Sequence, residues 1–336
     1  MHKDKRIIFI SWSNYHGRTH KLGDAFGAEI HYIKNFINTR GLIWKLFFIF
    51  DYLLKSLKTL NVILSSRPDV VFIQNPPSIA PVVTVLYSRF IKFKVVLDSH
   101  NSAFEKPWKF IPFHKWALEK ADAVLIHNDQ LLYSIIDDPY YKSINFKVLN
   151  DKLIDYKVKK NDLQKTIYFL VISTFNFDEP MDILLESVKI FNAHNISNVN
   201  FKITGNYKKE PGLYSKYTKE ENIEFLGFVP REEYDHFLMN AYGVISFTTR
   251  DNVQQCAVME AISAEVPFIS NNDPINTSLS GGKMILSEIT KEGIVKSLEL
   301  FIKERDQLVN SMPEIKAELS EKWENDFNNI KNELSI

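Results

Sequence analysis

The chain has 336 residues, of which 45% are hydrophobic and 24% charged, and this composition is that of a globular protein with room for two domains. Its single cysteine, Cys256, excludes an intrachain disulfide and a cysteine-rich zinc cluster, and favours a reducing, cytoplasmic setting. The formal net charge is zero, but residues 1–160 carry 24 lysines and arginines against 14 acidic residues. We therefore expect the first half to be the part that meets an anionic surface.

The first half of the chain alternates short apolar runs with helical patterns. Strands are predicted at 6–11, 29–33, 69–73, 94–98 and 122–127, and helices at 18–28, within 44–65, at 79–91 and at 112–120. This alternation favours a parallel, doubly wound sheet with right-handed crossovers. The apolar run at 7–10 is too short for the core of a signal peptide, and the most apolar window, 42–54, falls short of the roughly 20 apolar residues of a membrane span. We therefore expect no transmembrane helix.

A second cycle of strands and helices follows a polar linker at 156–164. Strands are predicted at 167–172, 200–204, 223–226, 243–247 and 267–270, and helices at 180–193, 232–239 and 254–264. A last helix near 320–334 carries Trp323 and Phe327 four residues apart, which gives it an apolar stripe. We predict an α/β protein of two Rossmann-like domains, 1–158 and 159–318, that face a cleft, with a C-terminal helix, 319–336, that crosses back to the first domain.

Polar side chains follow two neighbouring strands of the first domain. Asp98, His100 and Asn101 come directly after the apolar run 94–97, and Asn75 follows the preceding strand. Ligands of α/β sheets bind just beyond the carboxyl ends of the strands, so these residues are expected to face a crevice. A carboxylate can accept a proton from an attacking hydroxyl, and an imidazole can bind a sugar or phosphate oxygen. We predict that Asp98 and His100 are catalytic, with Asp98 as the base if the reaction inverts; the alternative is a structural, hydrogen-bonding histidine.

A second polar segment, residues 248–260, lies in the second domain. Backbone N–H groups at the start of the predicted helix at 254 can bind an anion, and Arg250 beside them can contact a phosphate through two hydrogen bonds. Glu260 lies inside that helix among apolar residues, so its carboxylate needs a partner or a ligand. The alternative is a glutamate on the surface of an amphipathic helix.

This segment resembles the donor-binding segment of GT-B glycosyltransferases of the family-4-like type, in which a Glu-x7-Glu motif closes on the nucleotide sugar. Glu260 matches the second glutamate, which grips the ribose hydroxyls in that family, and Asn252 stands at the first. In the first domain, residues 74–79 and 97–101 resemble the Gln-Asn-Pro-Pro and Asp-Trp-His-Asn signatures of chitobiosyl-diphosphodolichol β-mannosyltransferases and their bacterial relatives, with Ser99 in place of the tryptophan. Residues 248–251 look like the corresponding segment in the branch of the family that acts in bacterial polysaccharide assembly.

The resemblance implies two sets of ligand-binding residues. On the donor side we expect Ser173, Thr174, Gly205, Phe228, Val229, Thr249, Arg250, Gln254, Gln255 and Glu260, and on the acceptor side Asn14, Tyr15, His16, Arg18, Asn75 and Asn101. The basic residue that many members place after the first strand of the second domain is missing, because the chain reads Asp-Glu-Pro at 178–180. The diphosphate would then be met by Arg250, by helix N-termini or by Arg18. We expect no metal, since an Asp-x-Asp triad is lacking, and no cofactor; no Gly-x-Gly-x-x-Gly turn indicates NAD.

Aromatic residues alternate with lysines in two stretches of the first domain, 44–58 and 104–110. Such stretches suit a helix or loop that lies on an anionic bilayer. The alternative is that Leu46, Phe47, Phe50 and Leu54 are the core-facing side of a helix.

The resulting expectation is a cytoplasmic hexosyltransferase-type enzyme that is peripheral at the inner face of the cell membrane. Its expected partners are a nucleotide-diphosphate sugar, a lipid-linked saccharide acceptor of cell-surface polysaccharide assembly (capsule or O-antigen) and an anionic membrane surface, with no nucleic acid. Two alternatives stay open. One is a non-catalytic GT-B scaffold subunit, because Asn252 breaks the glutamate pair, and the other is a nucleotide-sugar 2-epimerase, which needs no acceptor.

Overall fold

The computed structural model describes residues 5–36, 42–156, 167–194 and 199–336, with side chains from residue 47 onward in the segment that begins at 42. The chain divides into two compact units. Unit 1 comprises Met1–Lys152 and Trp323–Ile336, and unit 2 comprises Leu153–Lys322. Most of the linker predicted at 156–164, and the boundary predicted at 158, fall outside the described residues.

Unit 1 contains a parallel six-stranded sheet in the order β2-β1-β3-β4-β5-β6. Its strands are β1 (Ile7–Ser11), β2 (Glu29–Tyr32), β3 (Val70–Asn75), β4 (Lys94–Ser99), β5 (Ala123–Ile126) and β6 (Phe146–Val148). Its helices are α1 (Gly17–Phe26), α2 (Leu42–Ser66), α3 (Ile79–Ser88), α4 (His114–Lys120) and α5 (Asp129–Ile136), with 3₁₀ turns at Asn101–Phe104 and Trp108–Phe110. Six consecutive buried residues in β3 and five in β4 explain the apolar runs of the sequence, since parallel strands are covered on both faces.

The register of the central strands fixes the polar residues at one edge. Gln74 pairs with Asp98 and Asn75 with Ser99, so the polar exits of β3 and β4 lie side by side. The sequence did not predict α5 or β6, because both are short. A signal for α5 exists all the same, since Asn128 caps it by accepting a hydrogen bond from the Leu131 N–H at 2.8 Å.

The end of the last helix, α11 (Lys291–Leu334), packs within unit 1. Trp323, Phe327 and Ile330 are buried in a cluster that also contains Phe9 and Phe26. The rings of Phe26 and Phe327 lie 4.6 Å apart, and the Trp323 indole donates to the Asn150 carbonyl at 3.0 Å. The helix begins at Lys291, much earlier than the expected start near residue 320.

Unit 2 contains a second parallel six-stranded sheet, in the order β12-β11-β10-β7-β8-β9. Its strands are β7 (Tyr168–Val171), β8 (Asn200–Thr204), β9 (Ile223–Gly227), β10 (Gly243–Ser246), β11 (Phe268–Asn271) and β12 (Ile285–Ser287), and its helices are α6 (Met181–His194), α7 (Pro211–Tyr217), α8 (Arg231–Met239), α9 (Cys256–Ser263), α10 (Pro274–Ser280) and most of α11. Its core is aromatic: Phe169 contacts Phe201 and Phe301 with ring centroids 5.5 and 5.0 Å apart. No helix in the described parts of the chain is long and apolar enough to cross a membrane.

Candidate functional site

A buried arginine organises the carboxyl edge of the unit 1 sheet. Arg18, in the first turn of α1, donates from Nε to Asp98 Oδ1 at 2.8 Å and from Nη1 to Asp151 Oδ1 at 2.6 Å. Its Nη2 donates to the Leu149 carbonyl at 2.7 Å. Each nitrogen of the guanidinium thus has an acceptor inside unit 1, and the arginine joins the ends of β4 and β6 to α1.

Arg18 sets the charge state of both carboxylates. Burial alone would raise the pKa of Asp98, but Arg18, followed by His100 and His127, outweighs burial and holds that pKa far below its ordinary value. Burial likewise raises the pKa of Asp151, and Arg18 again prevails and lowers it to about 2. Burial disfavours the charged guanidinium, yet the two carboxylates keep the pKa of Arg18 above its ordinary value. The three groups therefore form a buried, charged network at neutral pH.

Three histidines lie next to this network. The ring of His100 makes edge contacts with His16 and with His127, with centroids 4.6 and 4.4 Å apart. His100 Nε2 lies 3.5 Å from Asp98 Oδ2. Burial, with His100 as the next cause, lowers the pKa of His16 to about 4, and burial together with Arg18 lowers that of His127 well below its ordinary value. His16 and His127 are therefore neutral imidazoles at pH 7.

This geometry argues against two of the expected roles. Asp98 has no exposed surface and is ion-paired, and a carboxylate whose pKa is strongly lowered is a weak base. Arg18 is fully engaged within unit 1 and buried, so it is not a free cation for a diphosphate. The sequence could not reveal this, because the second partner of Arg18 lies 133 residues away.

The other acceptor-side predictions divide into internal and accessible residues. Asn75 is fully buried and donates to Ser99 Oγ and pairs with His114 Nε2, both at 3.1 Å, so its side chain is used inside the unit. Asn14 and Tyr15 are exposed in the turn between β1 and α1. Asn101 begins the 3₁₀ turn directly after His100. The accessible polar groups at this edge are thus Asn14, Tyr15 and the partly exposed His16, His100 and Asn101.

In unit 2, a carboxylate holds the loop between β7 and α6. Glu179 accepts hydrogen bonds from Ser173 Oγ at 2.8 Å, from the Thr174 N–H at 2.9 Å and from the Asn176 N–H at 3.0 Å. Gly205, at the end of β8, touches this loop so closely that a Cβ at its position would lie 1.9 Å from the Ser173 carbonyl oxygen. Only glycine fits there, and its φ of +101° also favours glycine.

The loop after β10 is joined to the same region. Thr248 Oγ1 donates to Asp178 Oδ2 at 2.9 Å, and the Thr249 N–H donates to the Asp178 carbonyl at 2.7 Å. Arg250 lies beyond these bonds, on the wall of a pocket with a volume of ≈ 760 Å³. Lining residues come from the ends of β10, β11 and β12: 248–252, 271–275 and 287–289.

Two glutamines precede α9, and their side chains differ in hydrogen bonding. Gln255 donates to Ser270 Oγ and to Asn271 Oδ1, both at 2.9 Å, and accepts from Ser246 Oγ at 2.8 Å, so it ties β10 to β11 and its side chain is not available to a donor. Gln254 is equally buried, but neither its amide nitrogen nor its oxygen has a hydrogen-bond partner among the described residues. Helix α9 begins at Cys256 with no side-chain cap from Gln255. A buried amide and an uncapped helix start therefore lie together.

Glu260 is held by residues of α8 that the sequence analysis missed. Its Oε2 accepts a short hydrogen bond from the Tyr234 hydroxyl, and Arg231 Nη1 lies 3.5 Å from its Oε1. The guanidinium of Arg231 lies over the rings of Tyr156 and Tyr234, 5.9 and 5.5 Å from their centroids. The carboxylate is only 18% exposed, so the expectation that it needs a partner was right, and the partner is Tyr234.

The loop after β9 carries the last two predicted donor residues. Phe228 is largely exposed and Val229 partly so, directly after Gly227, which has a φ of +73°. Most of the Phe228 side chain is therefore open to solvent, and its role in donor binding stays a prediction.

His127 is a further residue of this cluster that sequence reasoning missed, although it ends the strand predicted at 122–127 and directly follows β5. One potential ligand atom from each of Asp98, His100 and His127 lies within 4.8 Å of the others, so these residues are a possible metal-binding set. Two imidazoles and a carboxylate are ligands that transition metals accept.

The part of the chain that contains Gly205, Arg250 and Glu260 also matches a known family. Residues 154–316 match the family model described as glycosyl transferases group 1. All of the matched residues lie within unit 2. No curated protein matches the sequence.

Solved structures similar to the whole chain share its fold. HepE of Anabaena in complex with UDP and glucose aligns with a TM-score of 0.70 at 13% identity, over 99% of this chain and 100% of that one. Sucrose-phosphate synthase from Thermosynechococcus elongatus aligns with a TM-score of 0.73 at 11% identity, over 98% of both chains. MnaA of S. aureus, solved with UDP, aligns with a TM-score of 0.58 at 11% identity, over 92% and 91%. The α/β fold of the GT-B class is thereby confirmed, whereas the closer resemblance to β-mannosyltransferases stays a prediction.

Proposed function

We propose that this protein is a glycosyltransferase that moves a sugar from a nucleoside-diphosphate sugar to a lipid-linked saccharide in cell-surface polysaccharide assembly, at the inner face of the cell membrane. The observation that carries the proposal is the group 1 domain at 154–316, which contains Glu260, the uncapped start of α9 and the pocket beside Arg250. UDP in two of the similar structures favours a UDP-sugar as the donor.

The donor chemistry follows from the residues of unit 2. Glu260 is 18% exposed, and its Oε1 lies 3.5 Å from Arg231 Nη1; its carboxylate would accept the two ribose hydroxyls. The first N–H groups of α9 and the guanidinium of Arg250 would meet the negative charge of the diphosphate, which grows as the sugar leaves. The unpartnered amide of Gln254 can both donate and accept, which suits a sugar or phosphate oxygen.

On the acceptor side, the proton chemistry is assigned to His100 rather than to Asp98. His100 is partly exposed, its Nε2 lies 3.5 Å from Asp98 Oδ2, and histidine is the side chain that most often serves as a general base. Asp98 would act as a positioning residue, held ionised by Arg18, that orients His100 and stabilises its protonated form. If the product shows inversion, His100 is the base; if it shows retention, His100 holds a sugar hydroxyl instead.

Nucleotide binding tests the donor half of this proposal. We expect UDP to bind in calorimetry more tightly than GDP, ADP or dTDP, and Glu260→Gln to weaken UDP binding by at least about tenfold, because a hydrogen bond to a charged group is worth about 1.5–3 kcal/mol. Glu224→Gln is the matched control, since Glu224 belongs to an exposed pair with Lys202 in the same unit. No detectable binding of any nucleotide would contradict the proposal.

A non-catalytic scaffold is the second candidate, and two observations favour it. Asn252 replaces the first glutamate of the motif, and the Glu179 carboxylate occupies N–H groups of the β7–α6 loop. A scaffold predicts no turnover even with nucleotide bound. Incubating labelled UDP-sugar with and without a lipid acceptor also tests the 2-epimerase alternative, because an epimerase converts the donor when no acceptor is present.

A further inference from the structure

Over residues 50–59, helix α2 has buried polar side chains and exposed apolar ones, the reverse of an ordinary surface helix, whereas Val62 and Ile63 further along are buried in the core. Asp51, Lys55 and Thr59, spaced four residues apart, are all buried. Phe50 and Leu53 are 54% and 53% exposed, and Leu57 is exposed to a similar degree. Because positions 50, 53 and 57 recur every three to four residues, they share the outward side of the helix.

Specific bonds within unit 1 fix this orientation. Asp51 Oδ1 accepts from the Phe36 N–H at 2.7 Å, and Lys55 Nζ donates to Asn35 Oδ1 at 2.6 Å. Asp51 and Lys55 also form an ion pair at 3.1 Å. One turn further along, Thr59 Oγ1 accepts from the Trp12 indole at 2.9 Å. Rotating α2 to bury its phenylalanines would break all of these bonds, so the apolar side stays outward.

The outward side of α2 also lacks negative charge. The only acidic residue of the helix, Asp51, is buried against Lys55, and Lys58 is exposed. The large apolar side chains that are exposed in the described residues are concentrated in unit 1, which holds 15 of 18. A contiguous exposed apolar face of this kind marks an interaction site.

The neighbouring helices extend the same character. Helix α3 packs against α2 and α4 packs against α3, all on one side of the sheet. The turn after α3 exposes Phe90, at 82%, between the exposed Arg89 and Lys92. Phe110 and Phe113 are exposed before α4. Aromatic side chains flanked by basic ones are typical of surfaces that lie in a membrane interface.

We propose that the outward face of α2, centred on Phe50, Leu53 and Leu57, inserts into the interface of an anionic bilayer and holds unit 1 on the membrane. A lipid surface is preferred to a second protein because the exposed basic residues Lys58 on α2 and Arg89 and Lys92 after α3 complement anionic headgroups, and the one carboxylate of α2 is buried. The helix lies on the bilayer without crossing it, since no helix of the described chain can span a membrane. The assignment rests on the proposed function, which places the acceptor in the membrane, but its test needs no transferase activity.

The test is cosedimentation of the full chain with phosphatidylcholine vesicles that contain about one third phosphatidylglycerol, and with phosphatidylcholine alone. We expect binding to the anionic vesicles, a loss of at least about tenfold in the variant F50D/L53D, and weaker binding to the neutral vesicles. Phe177→Asp is the matched control, because Phe177 is 97% exposed but lies in unit 2. This control is expected to bind like the wild type.

Two readouts keep the test decisive. All five tryptophans, at 12, 44, 108, 116 and 323, belong to unit 1, so the fluorescence spectrum shows whether F50D/L53D keeps that unit folded. Equal vesicle binding by wild type and a folded F50D/L53D would overturn the proposal. The proposal would also be overturned if the wild-type chain did not bind vesicles but formed a dimer, and if F50D/L53D abolished that dimer. The face of α2 would then be covered by a second copy of the chain. UDP binding is measured separately, so failure of the membrane proposal and failure of the proposed function can be told apart.

Discussion

Replacing Arg18 by methionine removes the guanidinium that forms ion pairs with two buried carboxylates, Asp98 and Asp151. The variant loses three hydrogen bonds, of 2.8, 2.6 and 2.7 Å, and leaves Asp98 and Asp151 without their counter-ion. Removing one partner of a buried ion pair typically costs about 3–5 kcal/mol. Because Arg18 serves two carboxylates, we expect a loss near the upper end of that range in the free energy of unfolding of unit 1.

Urea denaturation followed by tryptophan fluorescence measures this loss, since all five tryptophans lie in unit 1. Arg89→Met is the control, because Arg89 is exposed and its guanidinium makes a single long hydrogen bond, 3.3 Å, to the Lys120 carbonyl. It is expected to change stability by about 0.5 kcal/mol or less.

A double variant tests the electrostatic reason for the loss. Arg18→Met with Asp98→Asn removes one of the uncompensated charges, so we expect it to be more stable than Arg18→Met alone by about 1–3 kcal/mol. A cost below about 1 kcal/mol for Arg18→Met, or losses that simply add in the double variant, would refute the reasoning.

Further predictions concern the buried histidines, Tyr234, Asn252 and the need for a metal. Folding lowers the pKa of His16 and His114 to about 4, so the unfolded chain binds more protons than the folded chain between pH 6.5 and 4. Unit 1 therefore loses stability as the pH falls through that window. In urea titrations at successive pH values, His114→Gln should show a shallower decline of stability than the wild type. Tyr234→Phe removes the bond that orients Glu260, so KM for the donor should rise several-fold with kcat little changed in initial-rate assays, and an unchanged KM would count against a positioning role. Asn252→Glu puts a longer side chain at a φ of +57° and should lower stability by about 1 kcal/mol in thermal unfolding without raising activity. EDTA should leave the initial rate unchanged, whereas dependence on an added metal would contradict a metal-independent reaction.

The fold could largely be predicted from the sequence, because buried parallel strands are short apolar runs with polar exits. The runs ending at Asn75 and at Ser99 are strands β3 and β4, close to their expected bounds. What the sequence could not predict were the short elements, such as β6 and α10, which have too few residues to show a period.

The candidate site was predictable in position but not in bonding. Asp98 and His100 stand at the carboxyl end of β4, as a polar strand exit indicates, and Glu260 lies in the second turn of α9, inside the helix predicted at 254–264. Their partners come from residues distant in sequence, such as Arg18 for Asp98, and a sequence read alone does not show such pairs.

The outward face of α2 shows most clearly what the sequence pattern could not predict, namely which side of a helix faces the core. The pattern allowed either a core face or a membrane face, and a core face would have buried Phe47 and Phe50. Both are exposed, because Asp51 and Lys55 find partners at residues 35 and 36 and so turn inward. The choice between the two faces depended on these long-range bonds rather than on hydrophobicity.

Sugar transfer tests the central claim most directly. The full chain is incubated with radiolabelled UDP-sugars and a lipid extract that contains polysaccharide precursors, and the label is followed into the lipid fraction alongside release of UDP. We expect one UDP-sugar to label the lipid in step with UDP release, and His100→Ala and Glu260→Gln to reduce that labelling by at least about tenfold. Binding of UDP without any labelled lipid, from any UDP-sugar, would contradict the transferase and favour the scaffold.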